Sequence, residues 1–134
     1  MKVIVDTNVL VSAAIADGKP ENAIYAIVTR LEWEWVISAE VLAEYREVLN
    51  RPKLRLSNEK KQRWFDLIET ATVNFEVAVE VDFPRDPKDE KFWALAIASG
   101  AEVMVTGDKD FEDLEALLPA TIVVSPSEFM ELAG

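Results

Sequence analysis

Short, almost wholly apolar runs alternate along this chain with longer segments in which apolar residues recur every three or four positions. The first run, Val3–Val5, is β-branched and stops at Asp6, which is typical of a buried strand in a parallel sheet. Similar runs recur at 35–37, 103–105 and 121–124. Strands that alternate with helices predict an α/β fold, here a three-layer α/β/α sandwich with a mostly parallel central sheet, built as a single domain over residues 1–134.

Residues that cap or end helices mark the boundaries of the predicted helices. Ser38 and Ser57 can each accept a hydrogen bond from an amide of a first helical turn, and Gly100 can end a helix in the left-handed conformation. An alternating pattern at 75–81 predicts one further strand. The predicted helices cover residues 20–31, 39–49, 57–72, 89–99, 111–118 and the segment that begins at Pro126.

The chain contains no cysteine and no histidine, and these absences exclude several kinds of chemistry. Disulfides, thiol nucleophiles and cysteine zinc sites are ruled out, as are imidazole acid–base catalysis and histidine-ligated metals. Any catalysis must therefore depend on carboxylates, and the chain has 25 Asp and Glu against 14 Lys and Arg, for a net charge of −11. Such a charge repels nucleic acid unless it is locally reversed or a cation intervenes.

The first residues do not match a secretory signal peptide, because a single lysine is followed by an apolar run that Asp6 interrupts at once. No stretch of about 18 apolar residues, the minimum for a membrane-spanning helix, is present. We therefore expect a cytoplasmic protein without a membrane association.

Four acidic residues stand close to the ends of predicted strands or the starts of predicted helices. Asp6 and Asp108 follow strands, Asp89 begins a helix, and Glu44 lies at the border of the apolar face of its helix. Each of them could instead have a local role, as a helix cap, a turn residue or a partly exposed side chain. In open parallel sheets, however, ligands bind beyond the carboxyl ends of the strands, so the pattern favours a shared site.

Carboxylates that converge at one edge of a sheet repel one another unless a cation lies among them. Mg²⁺ takes carboxylate oxygens, waters and substrate phosphate as ligands, and such a site suits the hydrolysis of phosphodiester bonds. The four acids therefore predict a metal-dependent phosphodiesterase site.

Four motifs, found in order along nearly the whole chain, resemble those of the PIN domain family. They are VIVDTNVL from Val3, SAE from Ser38 together with Glu44-Tyr45, RDPKDEKF from Arg85 and VTGDKDF from Val105. More narrowly, the chain resembles the subfamily of toxins of type II toxin–antitoxin pairs, which is related to the VapC toxins.

The resemblance implies a parallel α/β/α sandwich and an endoribonuclease that cleaves single-stranded RNA with Mg²⁺ or Mn²⁺, leaving 5′-phosphate and 3′-hydroxyl ends. It further implies an antitoxin protein as a partner, and homodimers are common in the family. The family's acids fall on Asp6, Glu44, Asp89 and Asp108, with Asp110 as a nearby auxiliary ligand. Its supporting positions fall on Thr7, Asn8 and Thr106.

Half of the 14 basic residues lie within residues 46–63, which we call the basic segment. It follows the helix that bears Glu44 and could grip RNA phosphates beside the acidic site; the alternative is an ordinary solvated helix. The four tryptophans could stack on bases if exposed, although their apolar neighbours predict that most are core residues. The candidate RNA-binding residues are Arg46, Arg51, Lys53, Arg55, Lys60 and Lys61.

Two other functions are compatible with the same acids. Asp6 could be the nucleophile of a phosphoryl-transfer domain, which needs a lysine beyond a later strand; Lys109 is the candidate, but Asn8 replaces the second aspartate usual in such domains. Alternatively, the chain is a non-catalytic scaffold of the same fold that binds a protein partner through its helices.

Overall fold

The central sheet has five strands in the part of the chain that the structure, a computed structural model, describes: residues 1–77, 89–108 and 120–134. All four strand pairings are parallel, and the spatial order is β3-β2-β1-β4-β5. The strands are β1 (Lys2–Val5), β2 (Glu34–Ile37), β3 (Thr72–Asn74), β4 (Val103–Val105) and β5 (Ile122–Val124). The predicted α/β class and the parallel sheet are confirmed.

The helices agree closely with the sequence pattern. Ser38 and Ser57 cap their helices through their side chains, and Gly100 ends the helix before it in the left-handed conformation, with φ of 66°. The predicted helix at 111–118 lies outside the described residues. The helices are α1 (Thr7–Ile15), α2 (Lys19–Thr29), α3 (Ala39–Leu49), α4 (Asn58–Ala71), α5 (Glu90–Ser99) and α6 (Pro126–Ala133), with a short 3₁₀ turn at Pro52–Leu54.

The burial of successive strand residues shows that helices cover both faces of the sheet. Side chains alternate between the two faces of a strand, yet three consecutive residues are buried in each of β1, β2 and β4. A strand that is buried on both faces lies in the middle layer of three. The predicted α/β/α sandwich therefore holds for the centre of the sheet.

The third strand differs from its prediction. The alternating pattern placed it at 75–81, whereas β3 occupies Thr72–Asn74, and Phe75 continues the pairing through its N–H, which donates to the Ile37 carbonyl at 2.8 Å. Residues 78–81 lie outside the described part of the chain. β3 is a partly exposed edge strand, so its sequence lacks the apolar run by which the buried strands are recognised.

The tryptophans are largely core residues, as their apolar neighbours predicted. Trp33, Trp35 and Trp93 are buried, and Trp64 is partly buried against the same core. Trp33 also packs edge-on against Phe129, with ring centroids 4.8 Å apart. Of the described helices, none combines the length and the apolar character needed to span a bilayer.

The strand order places a topological switch at the centre of the sheet. From β1 the chain builds outward through β2 to β3, and it then returns to add β4 and β5 on the other side of β1. In open α/β sheets, ligands bind at the carboxyl ends of the two strands that flank such a switch. These strands are β1 and β4, so the residues that follow Val5 and Val105 stand where a ligand is expected.

Candidate active site at the switch point

A cavity of about 410 Å³ lies at this edge of the sheet. It brings together side chains from the ends of β1 and β4, from helix α3 and from the start of helix α5. All four predicted acids are among its walls. The lining residues are Asp6, Thr7, Asn8, Glu44, Val48, Arg51, Asp89, Phe92 and Asp108.

Asp6 is buried at the end of β1, with 5% of its surface exposed. It is the N-cap residue of α1, but its backbone carbonyl, not its side chain, serves the helix by accepting from the N–H groups of Val9 and Leu10. The carboxylate instead accepts a 2.8 Å hydrogen bond from the Thr106 hydroxyl. The same hydroxyl accepts from the Asp108 N–H at 2.9 Å, so Thr106 links the two acids that follow β1 and β4.

The environment of Asp6 favours its neutral form. The pKa of this carboxyl is raised to about 6, mainly by burial, with a smaller contribution from the nearby Asp108 and Glu44, while hydrogen bonds from the Thr106 hydroxyl and the Thr7 backbone oppose the rise. Asp108 and Glu44 line the same cavity as Asp6, so acids from the end of β1, from α3 and from beyond β4 face one space, and a cation there would stabilise them.

Glu44 reaches the cavity from α3, where its neighbours hold both of its carboxylate oxygens. The Thr7 hydroxyl donates to Oε2, and the Lys91 ammonium lies 2.8 Å from Oε1. The predicted location of Glu44 at the border of an apolar helix face explains this geometry, because a border residue can direct its carboxylate inward and remain partly exposed.

Tyr45, the residue after Glu44, fastens α3 to the sheet. Its side chain is buried, and its hydroxyl donates to the carbonyl of Val5, the residue before Asp6. Burial raises the pKa of Tyr45 well above its ordinary value, so the hydroxyl stays protonated and remains a donor. One buried contact thereby fixes the helix that carries Glu44 relative to the strand that carries Asp6.

Asp89 and Asp108 complete the acidic wall. Asp89 is the N-cap residue of α5, although its side chain makes no capping hydrogen bond within the described structure. Both acids line the cavity. The fifth predicted acid, Asp110, and the alternative lysine, Lys109, lie outside the described residues.

The supporting residues divide between the cavity wall and the layer behind it. Thr7 lines the cavity and donates a hydrogen bond to Glu44. Thr106 is not among the lining residues and donates a hydrogen bond to Asp6. Asn8 is exposed and lines the cavity. Its predicted role in bracing Asp6 stays a prediction.

Arg51 brings a positive charge to the cavity wall. Glu44 and Val48, four positions apart on one side of α3, line the cavity, and Arg51 lines it from the extended segment that follows the helix. Arg51 also forms a two-pronged pair with Glu47 at 3.0 and 3.1 Å. The other candidate RNA-binding residues do not appear among the described residues of the wall: Arg46, Lys53 and Arg55 are exposed, and Lys60 and Lys61 are partly exposed.

Lys91 is the residue that sequence reasoning missed. It stands in the first turn of α5, where a positive charge opposes the helix dipole and is unfavourable unless an acid compensates it. A lysine at this position, followed by an almost wholly apolar helix, is the sequence feature that could have indicated an acidic partner for Lys91. Val48 and Phe92 also line the cavity. They were not predicted as site residues because their apolar character is typical of ordinary core positions.

The donor set of the cavity fits a hard divalent cation. Its walls offer carboxylate oxygens and the Thr7 hydroxyl and contain no sulfur or imidazole ligand. Within residues 1–77, 89–108 and 120–134, no three acidic side chains already form a cluster that could hold a metal ion. Mg²⁺ usually binds through one or two carboxylates and keeps several waters, so a cage of three protein ligands is not required.

Comparisons with known proteins agree with this architecture. The family model described as PIN domain matches residues 2–110. Among solved structures, the chain is similar to a chain in the crystal structure of VapBC2 from Rickettsia felis bound to a DNA fragment from its promoter, with a TM-score of 0.63 and 17% identity over 93% of this chain and 98% of that one. No curated protein matches. The fold, the order of the motifs and the family match together show that this chain belongs to the PIN domain family.

Proposed function

We propose that this protein is a Mg²⁺- or Mn²⁺-dependent endoribonuclease that cleaves single-stranded RNA and acts as the toxin of a toxin–antitoxin pair. PIN domains are in general divalent-metal-dependent nucleases. One observation carries the proposal: acids from four separate segments, Asp6, Glu44, Asp89 and Asp108, line a single cavity at the switch point of the sheet. Capping alone does not explain this convergence, since neither Asp6 nor Asp89 caps its helix with its side chain.

The carboxylates of this wall would hold the divalent ion, with Asp110 as a further candidate ligand. When bound, such an ion stabilises negative charge on a phosphoryl oxygen and activates a water molecule for attack. The residues of the chain supply position and charge: Thr106 orients Asp6, and Thr7 orients Glu44. These hydrogen bonds fix the acids before the substrate arrives, which lowers the cost of ordering them on binding.

The substrate proposal rests on the distribution of charge around the cavity. A protein of net charge −11 needs local positive charge to hold a polyanion, and Arg51 lines the cavity. Its guanidinium pairs with Glu47 in the structure, and it would exchange this exposed partner for a phosphate, which arginine can contact through two parallel hydrogen bonds. The exposed Lys53 and Arg55 follow Arg51 closely in the sequence and add two positive charges to this segment. Val48, which is partly exposed, supplies apolar wall against which a ribose or a base can pack.

The proposal of a toxin rests on the fold shared with a chain of VapBC2, which was crystallised with a DNA fragment from its promoter. By analogy, the partner is an antitoxin protein that covers the cavity. An arginine of such a partner, inserted among the carboxylates, would neutralise them through charge-assisted hydrogen bonds. A homodimer stays a prediction from the family resemblance.

The nuclease is tested with purified protein and a single-stranded RNA. Wild type is expected to cleave the RNA when Mg²⁺ or Mn²⁺ is present, leaving 5′-phosphate and 3′-hydroxyl ends. EDTA should stop the cleavage. Asp6→Asn and Asp108→Asn should abolish cleavage while circular dichroism shows a retained fold. Asp17→Asn makes the same change in net charge at an exposed position and should cleave like wild type.

Three outcomes would contradict the nuclease. If Asp6→Asn still cleaves RNA, the cavity that Asp6 lines is not the site of the reaction. A well-folded wild type that neither binds Mn²⁺ nor cleaves would favour the non-catalytic scaffold, and a beryllofluoride adduct on Asp6 would favour phosphoryl transfer. The toxin is tested separately by expression in bacteria: wild type should arrest growth, Asp6→Asn should not, and growth unaffected by an active nuclease would rule the toxin out.

A further inference from the structure

Glu44 already carries a positively charged partner before any metal ion is considered. The Lys91 ammonium lies 2.8 Å from its Oε1, and the Thr7 hydroxyl donates to Oε2. The side chains of Lys91 and Glu44 are 22% and 21% exposed, so this ion pair is more shielded from water than a surface pair and is worth correspondingly more. The two partners of Glu44 differ in kind, because Thr7 fixes the orientation of the carboxylate and Lys91 neutralises its charge.

The place of Lys91 in the fold is unfavourable without that pair. It lies in the first turn of α5, where the amides of the helix end favour negative charge and a cation is disfavoured. The residues that follow it, from Phe92 to Ala96, are buried, so the start of the helix is held against the core and keeps Lys91 beside Glu44. The ion pair with Glu44 compensates this arrangement.

We propose that Lys91 is a resident counter-ion, which occupies Glu44 while no divalent cation is bound and which a divalent cation must displace. This inference rests on the proposed function, because it assumes that Glu44 is a metal ligand. An oxygen whose lone pair accepts from an ammonium group is not available to a metal ion in the same direction. Lys91 therefore stabilises the metal-free protein and weakens its affinity for the metal, so that the site fills only when the cation is abundant.

The test compares Lys91→Met with Lys19→Met by titration of the metal-free proteins with Mn²⁺ alone. Both substitutions make the net charge more negative by one, but Lys19 is exposed at the start of α2, away from the cavity walls. Lys91→Met should bind Mn²⁺ about fivefold more tightly than Lys19→Met, a ratio that corresponds to about 1 kcal/mol. It should also melt at a lower temperature than Lys19→Met when EDTA is present.

Lys91→Gln provides the same test if Lys91→Met does not fold, since glutamine is polar but lacks the positive charge that the divalent cation must displace. Wild type and Lys91→Arg should share the weaker affinity because both keep the cation. An Mn²⁺ affinity of Lys91→Met or Lys91→Gln that equals or falls below that of Lys19→Met overturns the inference and leaves the proposed nuclease intact. If neither wild type nor any variant binds Mn²⁺, the proposed function falls together with the inference.

Discussion

Thr106 Oγ1 donates a 2.8 Å hydrogen bond to Asp6 Oδ2, although 100 positions of the chain separate the two residues. The register of the sheet produces this contact. Val5 pairs with Val105 across β1 and β4, so the next residue of each strand stands beside the other where the strands end. A residue that follows one strand thereby orients the acid that follows its neighbour.

Thr106→Val should lower both stability and cleavage. The substitution removes the hydrogen bond from Thr106 to the Asp6 carboxylate and the acceptor that the Thr106 hydroxyl provides to the Asp108 N–H. We expect a cost of about 1–3 kcal/mol in the free energy of unfolding and a loss of activity of about 10- to 100-fold, as for other residues that support a ligand. Urea denaturation and initial cleavage rates measure the two effects.

Thr121→Val is the matched control for Thr106→Val. Thr121 is equally buried, and its hydroxyl donates to the Ala101 carbonyl at 2.6 Å, away from the cavity. The Thr121→Val variant should lose about as much stability as Thr106→Val and should keep the cleavage activity of wild type. Equal losses of activity in both variants would show that Thr106 contributes only to stability.

Asp6→Asn should stabilise the metal-free protein at neutral pH. The folded-state pKa of about 6 lies above the ordinary value of 3.8, so the folded state binds the proton more tightly and the stability of wild type falls as the pH rises from about 4 to 6. Above pH 6 the ionised carboxyl costs up to about 3 kcal/mol, at about 1.4 kcal/mol per pKa unit. Well below the ordinary value of 3.8 the carboxyl is neutral in both states, so the advantage of the variant should vanish.

The measurement is chemical denaturation in EDTA at pH 4 and at pH 7.5, with Asp17→Asn as the control. Asp17 is exposed, and its substitution changes the net charge equally. The difference between Asp6→Asn and wild type should grow with pH and exceed the difference for Asp17→Asn. A difference that is the same at both pH values would contradict the link between burial of Asp6 and stability.

The basic segment should contribute to RNA binding through phosphate contacts. In an Asp6→Asn background, which prevents cleavage, Lys53→Gln and Arg55→Gln should each weaken binding. Each should also lower the slope of log K against log salt by about 0.7 per lost contact. Lys19→Gln removes an equal charge from an exposed position outside the segment. If all three variants lower the slope equally, the segment has no special role and is an ordinary solvated surface.

Tyr45→Phe should loosen the connection between α3 and the end of β1. The hydroxyl donates to the Val5 carbonyl from a fully buried position, so its removal should cost about 1–2 kcal/mol. A smaller fall in cleavage is expected because Glu44 and Asp6 lose their common anchor. Tyr25→Phe, at a position 68% exposed, should match wild type in both assays, and equal stability of the two variants would contradict the anchoring role.

Much of the fold was predictable because its signals are local. The buried strands β1, β2 and β4 are apolar at every position since helices cover both faces of the sheet. The capping serines act within three residues of themselves. β3 was placed wrongly because it is a partly exposed edge strand, and its position follows from pairing with β2, which the sequence of β3 itself does not encode.

The sequence by itself determined which acids stand at strand ends and helix starts, and therefore which of them could share a site. Only the tertiary structure decided how each is held: Thr7 and Lys91 lie 37 and 47 positions from Glu44, and Thr106 lies 100 from Asp6. The periodicity of apolar residues indicates which face of a helix or strand is buried, and this signal is contained within a few neighbouring residues. Which side chains meet across elements depends on strand register and helix packing, and these are properties of the whole folded chain.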